Sequence, residues 1–158
     1  MKEITGNIFD IKDADAICVT TNGGLNKYGE LIMGQGTPTA NHLAAQFAKE
    51  FPWLPLFLGH ARKVYGNVPY CPTMERSGHI GPHIVSFPTK WDWKDPSDIH
   101  LIDRSAEALV ILTDQYNWKK IVLPRPGVGK GKLKWEDVKA VISPILDDRF
   151  FVITPENN

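Results

Sequence analysis

The sequence, 158 residues long, predicts an α/β fold: helices packed on a largely parallel or mixed central sheet. Three observations carry that expectation. Short apolar, β-branched runs such as "ADAICVTT", "KKIVLP" and "RFFVIT" have the length and composition of buried strands. Stretches with apolar residues at helical spacing lie between them. Two of the strands run into glycine-rich loops that lead on to helices, and such loops are where open α/β sheets bind ligands.

Taken in order, "EITGNIFDI" alternates through Ile4, Ile8 and Ile11 as an early half-buried strand with a turn at Gly6. "ADAICVTT" is a buried strand ending at "NGG". The loop from Asn22 to Gly36 holds Gly23, Gly24, Gly29, Gly34 and Gly36, more glycine than a simple connection needs. Thr37-Pro38 then reads as an N-cap with proline in the first helical turn. Leu43, Phe47 and Phe51 follow at helical spacing, and Pro52 ends the element. A weaker helix is expected from about Pro55 to Tyr65, closed by Gly66-Asn67. "NVPYCPTM" and "HIGPHIVSF" are expected to form two strands around a turn near Gly78. Pro96-Ser97 opens the strongest helix, with Ile99, Ile102, Ala106, Leu109 and Tyr116 on its core face and Asp98 and Asp103 near its positive end. "KKIVLP" is a strand, "RPGVGKGKLK" a loop, "WEDVKAVISPIL" a helix interrupted at Pro144, and "RFFVIT" a last strand. No repeat or linker divides the chain, so one domain over residues 1–158 is expected.

Composition narrows the function. A chain of this length buries about 70% of its unfolded surface and needs no staple. Lys plus Arg equals Asp plus Glu at 18 each, which disfavours bulk electrostatic binding to duplex nucleic acid. Cys18 and Cys71 are the only cysteines, and the N-terminus has no signal-peptide core, so a reduced cytoplasmic setting is expected. No run approaches the roughly 20 apolar residues of a membrane span. A free-standing chain of this size suits a bacterium or a phage.

The second glycine loop, "LPRPGVGKGKLKW", alternates Gly127, Gly129 and Gly131, so backbone amides can approach an anion without a Cβ in the way. The N-terminus of the next helix adds favourable potential for phosphate. The spacing is neither the dinucleotide fingerprint nor the nucleotide-triphosphatase loop, since Leu133 follows Lys132. One such loop is as compatible with a structural role as with phosphate binding; two strand-to-helix loops together favour a diphosphate ligand.

At these residues the chain resembles a macrodomain, the α/β/α module that holds ADP-ribose. The matching segments run in order: "TGNIFD", "AICVTTN", "MGQGT", "SFPTKWDW" and "LPRPGVGKGKLKWEDV". The last two resemble the bacterial DNA ADP-ribosyl glycohydrolase antitoxins, and the glycine loop also resembles that of the terminal ADP-ribose protein glycohydrolases. The resemblance implies a three-layer α/β/α sandwich with a central mixed sheet, no metal, and no cofactor beyond ADP-ribose as ligand or product. It gives catalytic positions to Lys90 and Asn22. Asn7 and Ile8 would meet adenine, with Asn7 standing where the family usually has Asp. Asn22, Gly34, Gln35, Gly36 and Thr37 would line the distal ribose. Pro126, Gly127, Val128 and Gly129 would wrap the diphosphate together with Lys130, Gly131, Lys132 and Leu133. Gly131 stands where the protein-acting branch has an acid, as it does in the DNA-acting branch. The longer segment with "NKYGEL" makes Lys27 and Glu30 candidates for substrate choice.

The implied chemistry centres on Lys90. An ammonium group that loses hydration beside apolar rings gives up its proton more readily and becomes a nucleophilic amine. Phe87, Trp91 and Trp93 are the rings expected around it. That amine would attack C1″ of the distal ribose, open the ring as an imine and release the acceptor freed of ADP-ribose, with single-stranded DNA a candidate acceptor; a monomeric enzyme is expected. A phosphatase acting on ADP-ribose 1″-phosphate and a non-catalytic ADP-ribose reader are the alternatives. Plainer readings stand beside each residue. Lys90 as a surface lysine covering an aromatic patch is one, and Asn22 as a turn cap is another. Gly81-Pro82 between His79 and His83 prevents a helical metal-ligand pair. Cys18 reads as inert core and Trp135 as a lock between the glycine loop and its helix.

Overall fold

The β-branched runs form the strands Lys2–Thr5 (β1), Ala16–Thr21 (β2), His83–Pro88 (β3), Ile121–Pro124 (β4) and Phe150–Thr154 (β5). They belong to a computed structural model that describes residues 1–36 and 42–156. The strands make one sheet in the order β1-β5-β4-β2-β3. Every pairing is parallel, with Ala16 beside His83 and Ile121, and Ile121 beside Phe150. The expected mixed sheet is therefore corrected to a parallel one among the described residues. No tight hairpin joins successive strands, and parallel neighbours need long crossovers, which the intervening helices supply.

Side chains alternate across the strands, and each face buries its own core. On one face Ala16, Cys18, Val85, Phe87, Leu123 and Val152 pack with Ile102, Ala106 and Leu109 of α3 (Ile99–Gln115) and with Val138 and Ile142 of α4 (Trp135–Ile142). On the other, Ile17, Val19, Ile84 and Val122 pack with Phe47 of α1 (Leu43–Glu50) and Leu54 and Leu58 of α2 (Leu54–Tyr65). The result is the three-layer α/β/α sandwich. Burial pushes the Cys18 thiol up, with Cys71 adding to the effect, so it is core rather than a reactive group.

Local chemistry fixes the element ends. Asp98 caps α3: its Oδ1 accepts from the backbone N–H of His100 at 2.9 Å and of Leu101 at 3.4 Å. Pro55 sits in the first turn of α2, where no donor is missed, and Gly66 (φ 92°) ends it. Of three further expectations, one is corrected, one holds and one lies outside the described residues. "NVPYCPTM" is no strand: Pro72–Glu75 is a 3-10 turn, because Pro69 and Pro72 lack ladder donors. The edge of β3 is met by isolated bonds from this segment: the Ser86 N–H donates to the Tyr70 carbonyl at 2.9 Å, the Ile84 N–H to Thr73 Oγ1 and the Tyr70 N–H to Ser86 Oγ. The last helix ends at Ile142, with Ser143 as its cap, so it breaks off at Pro144 as expected. The expected cap at Thr37-Pro38 lies outside the described residues. Among the described residues no helix is long and apolar enough to cross a membrane, and no cluster of His, Cys, Asp or Glu could hold a metal.

Candidate active site

Because all strands point the same way, the loops after β2, β3 and β4 leave one edge of the sheet together. They enclose a cavity of about 750 Å³, closed on its fourth side by the N-terminus of α1. Thr21 and Asn22 come from the end of β2, Thr89 and Lys90 from β3, and Arg125 and Gly127 follow β4.

Lys90 is half-buried on the wall, and its main chain is held from two sides. The Thr89 N–H donates to the Thr21 carbonyl at 2.9 Å, and buried Asn67 donates from Nδ2 to the Lys90 carbonyl at 3.0 Å. Among the described residues no carboxylate pairs with its ammonium. The expected aromatic surround is only partly present. Phe87 is fully buried in the α3-side core, because strand alternation puts it on the same face as Val85. Trp91 is turned to α3: its Nε1 donates to Asp98 Oδ2 at 3.0 Å and the Arg104 guanidinium covers its ring at 5.6 Å. Trp93 is the one of the three rings that lines the cavity, and it is 55% exposed there.

Asn22 also reaches the cavity, but its amide is engaged in the loop. Its Oδ1 accepts from the Gly24 N–H at 2.8 Å, and its Nδ2 donates to the Ile32 carbonyl at 2.9 Å. The turn-capping role is therefore present, with one amide N–H left for a ligand. Gly34 lines the wall; Gln35 does not, and instead braces the loop between the Leu31 carbonyl and the Met33 N–H. Gly36 also lies off the wall, and Thr37 is outside the described residues. Asn7 and Ile8 are not at the cavity: Asn7 caps a 3-10 turn through the Phe9 N–H, and Ile8 is core. Lys27 stacks on Tyr28 and Glu30 accepts from Asn26, both away from the wall.

In the second glycine loop Gly127, Val128, Lys130 and Gly131 face the cavity. Pro126 is buried, Gly129 and Lys132 are exposed, and Leu133 closes the loop by donating its N–H to the Gly127 carbonyl at 3.0 Å; none of these four lines the wall. Gly127 has φ 75°, and a Cβ there would meet Ile102 Cδ1 at 2.7 Å and Leu133 Cδ1 at 3.0 Å, so only glycine fits. The loop is anchored from behind. Arg125 pairs with Glu3 at 3.4 Å and lies 4.7 Å over the Trp135 ring. Glu3 also accepts from Lys139 and from Trp135 Nε1, and the Lys139 hydrogen bond is the largest cause holding its carboxyl below the usual range. Trp135 thus locks the loop to α4 as expected.

Sequence reasoning missed several lining residues, among them Arg125, Ser97 and His42. Arg125 brings a third full cation beside Lys90 and Lys130; its place between two prolines at the glycine loop was a usable signal. Ser97, 8% exposed, packs its hydroxyl against Gly131, and that Oγ has no partner among the described residues. His42, just before α1, lies with its ring on Gly34 and Nδ1 3.4 Å from the Lys130 ammonium. Burial, then Lys130, then Lys90 hold the imidazole below its ordinary pKa, against a backbone hydrogen bond at Met33. Among the described residues the lining carries cations and no carboxylate, the electrostatics of a polyanion site.

No protein-family model matches the chain. A DNA ADP-ribosyl glycohydrolase of Mycobacterium tuberculosis is 42% identical over 60 residues, 37% of this chain and 17% of that protein. The chain therefore spans about a sixth of the length of the curated relatives it matches. Solved structures align along nearly all of it. The macrodomain of Thermus aquaticus DarG superposes with TM-score 0.73 at 26% identity, covering 99% of this chain and 97% of that one. The macrodomain of M. tuberculosis DarG gives 0.74 at 26% identity, with 98% and 97% covered. Parallel sheet, paired glycine loops and end-to-end superposition agree: the chain is a macrodomain of the DarG branch.

Proposed function

We propose that the cavity binds ADP-ribose and that the protein is a glycohydrolase that removes it from a modified macromolecule, with ADP-ribosylated single-stranded DNA as the leading substrate. The observation that carries the reading is the placement of Lys90. Its amine stands in the same cavity as the Gly127–Gly131 loop, so a diphosphate held by that loop would bring the distal ribose toward the amine. The cationic lining supplies the countercharge for the diphosphate. Attack of the neutral amine on C1″ breaks the bond to the acceptor, and water then hydrolyses the lysine adduct. The DNA ADP-ribosyl glycohydrolase names of the relatives support the DNA acceptor.

A second reading, a non-catalytic ADP-ribose reader, is favoured by the lack of a carboxylate among the described lining residues. The test is a panel of ADP-ribosylated thymidine in a single-stranded oligonucleotide, an ADP-ribosyl-glutamate peptide and ADP-ribose 1″-phosphate, assayed with the parent and Lys90→Ala. Release from the oligonucleotide by the parent alone, with ADP-ribose binding retained by the variant, supports the enzyme. Tight ADP-ribose binding by a parent that releases nothing establishes the reader. Turnover confined to the 1″-phosphate establishes a phosphatase.

A further inference from the structure

A lysine that attacks as a nucleophile must first lose a proton, and the acceptor it displaces must gain one. No Asp or Glu lines the cavity among the described residues, so neither task can fall to a carboxylate of the wall. The Arg125 guanidinium is donor-only and offers no lone pair to take a proton. His42 is the lining side chain whose ordinary pKa suits proton exchange near neutrality. We propose that His42 carries the proton between Lys90 and the departing acceptor. This inference rests on the glycohydrolase reading of the same cavity.

The geometry around the imidazole supports the role. The Lys130 ammonium can only donate, so the nitrogen 3.4 Å from it, Nδ1, is the one bearing the lone pair. The other contacts come from the backbone of Met33, from Gly34 under the ring, and from the charge of Lys90. Each of these described neighbours presents a cation or a neutral group, and they keep His42 in its basic form. Lys130 occupies Nδ1 only while nothing stronger attracts its ammonium. A diphosphate on the glycine loop is such an attractor, because a charge-assisted bond to phosphate exceeds one to neutral imidazole. Binding of the diphosphate therefore frees Nδ1 as it brings the ribose to Lys90, which couples proton removal to the presence of substrate.

The steps balance. Nδ1 takes one proton from the Lys90 ammonium and becomes imidazolium. The neutral amine forms the Nζ–C1″ bond as the bond from C1″ to the acceptor breaks, with its electron pair leaving on the acceptor. The imidazolium returns its proton to that atom.

The test compares the parent, His42→Gln and His42→Ala by single-turnover release from an oligonucleotide carrying ADP-ribosylated thymidine, between pH 5.5 and 9. The parent is assayed first; if it releases nothing, the glycohydrolase reading itself has failed and the proton role with it. With an active parent, His42→Gln is expected to release about 100-fold more slowly at pH 7, with ADP-ribose affinity by calorimetry within about threefold. The deficit narrows about tenfold per pH unit above that, since hydroxide takes over the task. Imidazole in the buffer restores part of the rate to His42→Ala and none to His42→Gln, which leaves no space for it. Release by His42→Gln at the parent rate overturns the proposal. So does a loss that is the same at every pH and unmoved by imidazole, which would mark His42 as packing alone.

Discussion

Gly59 is the position where two physical effects oppose each other and magnitudes decide. It lies inside α2, where replacing glycine by alanine on an exposed helix gains about 1 kcal/mol. Here the new Cβ would press into the carbonyl oxygen of Gly29 and stand 2.9 Å from Leu31 N and 3.0 Å from the Glu30 carbonyl carbon. These are backbone atoms, and the segment is tied. The Leu31 N–H donates to the Pro55 carbonyl at 2.9 Å, and Asn26 Oδ1 accepts from the N–H groups of Tyr28 and Glu30. Overpacking of this kind costs about 3 kcal/mol at its upper end. Set against the propensity gain, Gly59→Ala should be destabilising by about 2 kcal/mol. For a chain of this size that is a fall in Tm of about 4–8 °C. Since Ile32, Met33 and Gly34 continue the same segment into the cavity wall, ADP-ribose affinity should fall as well. Thermal unfolding followed by circular dichroism, with calorimetry alongside, tests both. A rise in Tm would show that propensity governs the site and that the close approach of α2 to the loop is not tight.

Two further outcomes follow from the site and the histidines. Asn67→Ala removes the hydrogen bond to the Lys90 carbonyl, which is worth about 1 kcal/mol. It should lower kcat for release about fivefold with KM nearly unchanged, whereas equal changes in both would mean that Asn67 does not position Lys90. His83 is held below its ordinary value of 6.5 chiefly by burial and next by His79, with Asp15 opposing. The unfolded chain then binds more protons than the folded one just below that value, so stability is full above about pH 6.5 and is lost as pH falls through the folded value. The Tm of the parent should drop more steeply from pH 7 to pH 5 than that of His83→Asn, and parallel curves would refute the assignment.

Much of the fold was legible because period and punctuation agreed. Ile17 and Val19 against Ala16 and Cys18 mark a strand buried on both faces, and Asp98 before an apolar helical stripe marks the start of α3. Strand order and direction were not, since pairings such as Ile4 with Ile153 join distant segments by no local signal. In the site, Lys90 and the glycine loop were readable from their motifs, and the structure brings them to one cavity. Phe87 stands away from Lys90 because alternation along β3 turns it, like Val85, to the α3 side. His42 carried no signal: it follows a polar stretch, and only the closeness of Gly34 and Lys130 in space gives it a role.

The central claim, that Lys90 is the nucleophile, is tested most directly by trapping its adduct. The parent is mixed with the ADP-ribosylated oligonucleotide, quenched with borohydride within one turnover, digested and mapped by mass spectrometry. One reduced ADP-ribosyl unit on the peptide carrying Lys90, absent from Lys90→Arg, is the predicted result. Release that proceeds with that peptide unmodified would contradict it.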